Sequence, residues 1–363
     1  MALPFARPAR RGAVGLDLDG SFIAAVELNG FTVERMASRE LPSGLIVDGE
    51  VSDAAGLSAV LKDFFKTHKL PRTVRIGVAN QQIVVRQLEL PRIDDPRERA
   101  AAVRFQAAEA IAMPLEEAVL DFQPIGESVS AEGAVRTRFI VVAARAAMVD
   151  RLVEAVRGAG LKPAGIDLNA FALVRCLTRG SGDEAVRVLC HFGGVSNLAV
   201  AAGTACVFTR PLRTVALAPG RDEAGAADRE PEPLDTPTPP PSAAAETEAP
   251  AYFSPASPAG AAVTAPAASD RASEGGPVRE LAEEIRLSID FYMAQPDARW
   301  VSEVVLSGPG AGRPELAEGL REAIGLPVSV AAPLGALELP VLMPGEDPAR
   351  YTVAAGLALG ASA

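Results

Sequence analysis

The sequence predicts an internally duplicated α/β protein carrying a long disordered insertion. Residues 13–40 and 187–211 each read as a three-stranded meander with glycine at a corner, and each is followed by helical sequence. Residues 219–277 hold twelve of the thirty prolines among Ala, Ser, Thr and Glu tracts. Such a composition buries too little apolar surface to offset ordering entropy, so disorder is expected there. The two meanders share shape rather than residue identity.

In order along the chain, Val14–Leu18, Ile23–Leu28 and Thr32–Ser38 read as the first meander, and Leu41-Pro42-Ser43-Gly44 as a loop. From Asp53 to Lys66, Leu57, Val60, Leu61, Phe64 and Phe65 share one helical face. Strands follow at Thr73–Ala79 and Ile83–Leu90, closed by Pro91. Asp95-Pro96 places a capping carboxylate before a first-turn proline, and predicts a helix to about Ala112. Val119–Ile125 and Thr137–Ala144 read as strands around a turn at Glu132-Gly133. Ala146–Ala159 reads as a helix ended by Gly160, Gly165–Asp167 as a short strand, and Asn169–Arg179 as a helix.

The second meander is Arg187–Phe192, a Gly193-Gly194 turn, Asn197–Ala202 and Ala205–Pro211. Beyond the insertion, in which Tyr252-Phe253 is an aromatic pair suited to docking, a helix is predicted over Val278–Ala294. Its Leu281, Ile285, Ile289 and Tyr292 form one continuous stripe. A strand at Ser302–Leu306, a glycine-rich loop at 307–312, a helix at Pro314–Ile324 and a strand at Pro327–Ala331 complete the pattern. Thr352–Leu359, rich in small residues, reads as a tightly packed closing helix.

Hydrophobic residues make up 48% of the chain but aromatics only 5%, which predicts an Ala, Val and Leu core. The net charge of −11 is concentrated in 219–277, where ten acidic residues face three basic ones. No basic stripe is present, which argues against nucleic-acid binding. Cys176, Cys190 and Cys206 lack metal or disulfide spacing and read as small buried groups of a reducing compartment. Arg7, Arg10 and Arg11 precede an apolar stretch that Asp17 and Asp19 interrupt, and no run of about 18 uncharged apolar residues occurs. The expectation is a soluble cytoplasmic chain that meets a membrane only through a partner.

The chemistry-bearing stretch is Asp17-Leu18-Asp19-Gly20-Ser21. A strand–turn–strand with an acidic lead-in and Gly-Ser at its tip can cradle a phosphate on backbone N–H groups while Asp17 holds Mg²⁺. The same residues also make an ordinary hairpin turn. Gly193-Gly194 with Ser196 and Asn197, and Ser307-Gly308-Pro309-Gly310-Ala311, supply two further glycine-bearing turns.

Three such turns in this order resemble an actin-like ATPase: two RNase H-like lobes gripping nucleotide between two phosphate hairpins and an adenosine loop. More closely, the chain resembles the type IV pilus assembly protein PilM family, relatives of the cell-division protein FtsA. Supporting segments are Leu88-Glu89-Leu90-Pro91, Met113-Pro114-Leu115-Glu116-Glu117, Gly160–Asp167 with Ala170-Phe171-Ala172-Leu173, and Glu284–Tyr292. The resemblance implies a first lobe over 13–86 and 143–180, and an FtsA-type 1C subdomain over 87–142. It implies a second lobe over 181–218 and 278–335, and a return to the first lobe over 336–363, with residues 1–12 flexible. It further implies a scaffold that binds the cytoplasmic tail of a PilN-like inner-membrane protein beside the inserted subdomain and self-associates into a ring or filament. Arg99, Arg104 and Glu109 are the candidate partner residues. ATP and Mg are the implied cofactors, at Asp17, Gly20, Ser21, Gly193, Gly194, Ser196, Asn197, Ser307, Gly308, Gly310 and Ala311.

The chain departs from the family pattern where Asp19 replaces a usual glycine, Gly20 a serine, Ala24 a lysine, His191 an aspartate and Pro309 a glycine. A carboxylate added beside a polyphosphate repels it, and losing the lysine removes a point-charge clamp. Weak or no ATP hydrolysis is therefore expected. An active ATPase or sugar kinase of the same superfold is the alternative, although no sugar-pocket signature is present. A division-filament protein would be expected to end in an amphipathic membrane helix, which residues 352–363 do not supply.

Overall fold

Apolar alternation along residues 14–40 becomes an antiparallel meander of β1 (Val14–Leu18), β2 (Phe22–Asn29) and β3 (Thr32–Glu40). The computed structural model describes residues 13–129, 133–212, 276–295, 298–332, 334, 337 and 347–361. The expected disorder of 1–12 and 219–275, the turn residue Glu132 and the Tyr252-Phe253 pair lie outside the described residues. Gly276 and Pro277, assigned to the insertion from composition, instead begin a helix.

A two-residue hairpin follows, β4 (Ile46–Val47) and β5 (Glu50–Val51). The sequence reading passed over it, although Asp48-Gly49 between them, both at positive φ, is a strong hairpin signal. Helix α1 (Ala54–Thr67) is capped by the Asp53 carboxylate, which accepts from the Gly56 N–H. It crosses over so that β6 (Thr73–Val78) lies parallel to β1.

The chain then leaves this sheet to build a second one. Strands β7 (Val84–Pro91), β8 (Ala118–Val129) and β9 (Val135–Arg145) pair antiparallel in the order β7-β9-β8. Between β7 and β8 runs α2 (Pro96–Ala110), with Asp95 capping its first turn. Val103 and Ala107 of α2 pack on Phe139 and Val141, so α2 covers one face of this sheet. Both β8 and β9 are longer than expected, because their pairing continues past the apolar residues into polar sequence.

Helix α3 (Ala146–Gly158) returns the chain, and β10 (Lys162–Leu168) pairs parallel with β6. The expectation of three strand residues there was too short: Lys162 and Pro163 also pair, across a bulge before Gly165. Helix α4 (Asn169–Leu177) ends where the Thr178 hydroxyl donates back to the Val174 carbonyl, two residues earlier than expected.

The second meander is β11 (Val186–His191), β12 (Asn197–Ala202) and β13 (Ala205–Pro211). Helix α5 (Gly276–Met293) then leads to β14 (Val301–Ser307), a 3₁₀ turn at Pro309–Gly312, α6 (Pro314–Ile324) and β15 (Val328–Val330). The predicted stripe of α5 buries Leu281, Ile285 and Tyr292.

The two five-stranded sheets have orders β10-β6-β1-β2-β3 and β13-β12-β11-β14-β15. In each, the meander is antiparallel and the two added strands are parallel to its first strand. The expected duplication is thus realised strand for strand. Each sheet has its own apolar core, one around Leu57, Phe64 and Ile76, the other around Val188, Leu281 and Leu316. Finally α7 (Thr352–Ala361) lays its small residues against β2, where Ala354, Ala355 and Ala358 meet Ala24 and Val26. Among the described residues no helix is long and apolar enough to cross a membrane.

Candidate functional site

The duplicated topology brings the β1–β2 turn of one sheet against the β11–β12 turn of the other. Asp19 lies in the first turn, before Gly20 at φ +100°. Its two carboxylate oxygens are 2.7 and 2.6 Å from the Gly194 nitrogen, which donates across the junction. The Ser21 hydroxyl donates to the same carboxylate at 2.6 Å. A Cβ on Gly193 would overlap an Asp19 carboxylate oxygen, and one on Gly194 would overlap the Asp19 carbonyl. The backbone obstacle requires glycine at 194, whereas at 193 the obstacle is the end of the Asp19 side chain itself.

The third turn closes onto the second. Gly308, at φ +86°, sits on the backbone of Phe192, and the Gly310 N–H donates to the Phe192 carbonyl at 3.3 Å. Ser307 Oγ lies 3.0 Å from His191 Nδ1. Ala311 is buried, and its N–H donates to the Gly308 carbonyl. Asn197, opposite His191 in the β11–β12 register, turns its amide onto the Val195 carbonyl, while Ser196 gives its carbonyl to the Leu212 N–H. The three glycine turns therefore meet at one corner.

Asp17 is buried at the end of β1, where the Asn169 amide donates to it at 3.4 Å. Burial holds the Asp17 carboxyl well above its ordinary range, the Asp19 charge adds to this, and Asn169 opposes it. Burial likewise raises Asp19, against the bonds from Ser21 and Gly194 and the charge of Arg350. Ala24 is the register partner of Asp17, so the position of the lysine implied by the family resemblance lies beside this carboxylate. Among the described residues no group of three or more His, Cys, Asp and Glu side chains is placed to hold a metal ion.

Sequence reasoning missed Asn169 and Arg350, which reach the corner from distant segments. Asn169 has a legible signal: a polar residue opening a helix directly after a buried strand. His191 Nε2, beside Gly193, and Asn169 Oδ1, against Gly77 of β6, are buried without a hydrogen-bond partner. Burial lowers the His191 pKa to about 4, so the ring is neutral.

The unfolded chain takes up this proton first as pH falls, so His191 costs stability from its ordinary value near 6.5 down to about 4. The stability of the wild type relative to His191→Asn is expected to fall by roughly 3 kcal/mol over that interval. Urea unfolding of both proteins at several pH values checks this. Parallel curves would show that the imidazole is not desolvated.

The remaining named residues lie elsewhere. On α2, the Arg99 and Arg104 guanidinium groups donate to the Ile93 and Leu115 carbonyls, and Glu109 is exposed. On the other face of the β7-β9-β8 sheet, Ile140 and Val142 line a cavity of about 190 Å³ with Phe171, Asp167 and Arg175, whereas the Phe122 side chain turns to the α2 face and packs on Phe139. Strands β8 and β10, which flank that cavity, are edge strands of their sheets.

The family model described as type IV pilus assembly protein PilM matches residues 15–210. The solved structure described as a PilM-PilN type IV pilus biogenesis complex is 23% identical, covers 97% of this chain and 99% of its own, and has a TM-score of 0.71. The ethanolamine utilization protein EutJ from Carboxydothermus hydrogenoformans is 13% identical, with 98% and 92% covered and a TM-score of 0.45. A Bacteroides thetaiotaomicron protein of actin-like ATPase fold and unknown function is 9% identical, with 90% and 93% covered and a TM-score of 0.44. With the family model spanning more than half of its length, and the duplicated sheets and inserted subdomain of an actin-like fold, the chain belongs to the type IV pilus assembly protein PilM family.

Proposed function

We propose that this protein is an actin-like scaffold of type IV pilus assembly, working at the cytoplasmic face of the inner membrane by binding the cytoplasmic segment of a PilN-like protein. The observation that carries the partner site is the cavity between the inserted sheet and the first lobe, with an edge strand on either side. An extended peptide can add to such an edge through its backbone, while Ile140, Val142 and Phe171 take alternate apolar side chains. The similar fold solved as a PilM-PilN complex supports a peptide of this origin. The segment boundaries given above, with 87–142 as the inserted subdomain, are part of the same proposal.

Calorimetry with a synthetic N-terminal PilN peptide is expected to give a dissociation constant of micromolar order or tighter without nucleotide. Phe171→Ala is expected to weaken binding about tenfold or more, and Arg104→Glu less than about twofold. The reverse pattern would move the partner to the α2 face that carries Arg99, Arg104 and Glu109.

We further infer that the glycine corner does not fit a working Mg-ATP centre. The Asp19 carboxylate holds the Gly194 donor, Asp17 is driven towards its neutral form, and alanine stands opposite it. Phosphoryl transfer needs cationic neutralisation and a held metal ion, and His191 is buried and neutral where either would help. Turnover of ATP with Mg²⁺ is expected below about one per minute. Faster turnover that Asp17→Ala abolishes would restore the enzyme reading.

A further inference from the structure

The geometry points to Asp19 as a resident anion: its carboxylate occupies the phosphate-type cradle of the second hairpin and competes there with the terminal phosphate of a nucleotide. The inference rests on reading this corner as a nucleotide-type corner.

A backbone N–H exposed at a glycine turn is the group that such hairpins offer to a phosphate oxygen. Here the Gly194 N–H is already spent on a carboxylate, with both oxygens within 2.7 Å. The Ser21 hydroxyl, the other donor at the tip of the first hairpin, is spent on the same group at 2.6 Å. An ionised carboxylate accepting from N–H and O–H donors reproduces the bonds of a phosphate oxygen.

The missing side chains at Gly193 and Gly194 point the same way. The space that glycine leaves, which would let a polyphosphate approach the backbone, is filled by Asp19 itself. Asp19 is 6% exposed. His191 Nε2 is buried without a partner beside Gly193. That is more polar lining than a purely structural contact between two turns requires, and it suits a site shaped for a polar occupant.

A phosphate entering this corner must displace Asp19 from its donors and also meet its charge. The same bond links a turn of the first sheet to a turn of the second, across 175 residues of sequence. Asp19 thus acts as a clasp between the duplicated halves as well as a barrier to phosphate.

The test uses the full chain and two variants, Asp19→Ala and the near-isosteric Asp19→Asn. Amide hydrogen exchange at Gly194 reads the clasp, and calorimetry with Mg-ATP and with inorganic pyrophosphate reads the site. Asp19→Ala is expected to speed Gly194 exchange by about tenfold or more and to tighten Mg-ATP and pyrophosphate binding by about tenfold or more. Asp19→Asn should move both readouts in the same direction by less, and it carries the test alone if the alanine variant fails to fold.

Unchanged Gly194 exchange in a folded variant would overturn the clasp. Faster exchange without any gain in anion affinity would overturn the reading of the corner as a phosphate site. Peptide binding, measured on the same samples, reports on the partner proposal separately.

Discussion

Asp167→Ala is expected to cost about 3–5 kcal/mol of folding stability, the range for stripping one partner from a buried ion pair. Asp167 ends β10 inside the protein. Its carboxylate lies 3.4 Å from Arg75 Nη1 and accepts from Arg175, while its other oxygen accepts from the Leu168 N–H at 2.9 Å. The Arg75 side chain is only 3% exposed. Burial lowers its pKa, Asp167 opposes that, and the Arg175 charge adds to it.

Without Asp167, two guanidinium groups face each other, one of them far from water. Arg175 can relax, since it is about one-third exposed and also donates to the Gly356 carbonyl. Arg75 cannot. The double variant Arg75→Met, Asp167→Leu is expected to recover most of the loss, because an apolar pair of similar volume carries no desolvation cost. Urea unfolding of the wild type, Arg75→Met, Asp167→Leu and the double variant closes the double-mutant cycle that measures the coupling, with Asp167→Ala measured beside them. A single-variant loss below about 1 kcal/mol would show that Arg75 is compensated without Asp167 and would overturn the prediction. The same variants should weaken PilN-peptide binding, since Asp167 and Arg175 line the proposed groove.

The ion-pair cluster was not legible in the sequence, whereas the fold around it was. Arg75, Asp167 and Arg175 belong to β6, β10 and α4, and only the parallel pairing of β10 on β6 brings the first two together. No local spacing encodes that pairing. The meanders were legible because alternation, glycine corners and capping residues such as Asp53 and Asp95 are local signals. The convergence of Gly20, Gly193 and Gly310 was legible only through the family resemblance. The opposition of charge at Asp19 was anticipated, but the sequence could not show that Asp19 would take the Gly194 donor for itself. Nor could it tell which face of the inserted sheet stays open. Residues 139–144 are buried throughout, so periodicity along β9 assigns neither face to α2.

Gly356→Ala is expected to destabilise the protein by more than about 3 kcal/mol, against the sign that helix propensity alone would give. In an exposed helix interior alanine is better than glycine by about 1 kcal/mol. In α7, however, a Cβ at position 356 would overlap the Ala172 carbonyl oxygen of α4. Gly15 of β1 makes the matching approach on another side of the helix, where a Cβ would overlap the Ala354 carbonyl and lie 2.6 Å from the Ala358 nitrogen. Both obstacles are backbone, so no rotamer change relieves them, and α7 must move away from the sheet or from α4. Gly276→Ala, which meets nothing within 4 Å, serves as the control and should shift stability by less than about 0.5 kcal/mol. Thermal unfolding of the three proteins decides the matter: a Gly356→Ala variant as stable as the wild type would mean that α7 packs more loosely than this. A destabilised α7 should also be felt at the glycine corner, because Gly15 precedes Asp17 and Asp19 on the same strand and turn. Faster Gly194 exchange in Gly356→Ala would show that the close-packed helix holds β1 in the position from which Asp19 reaches across.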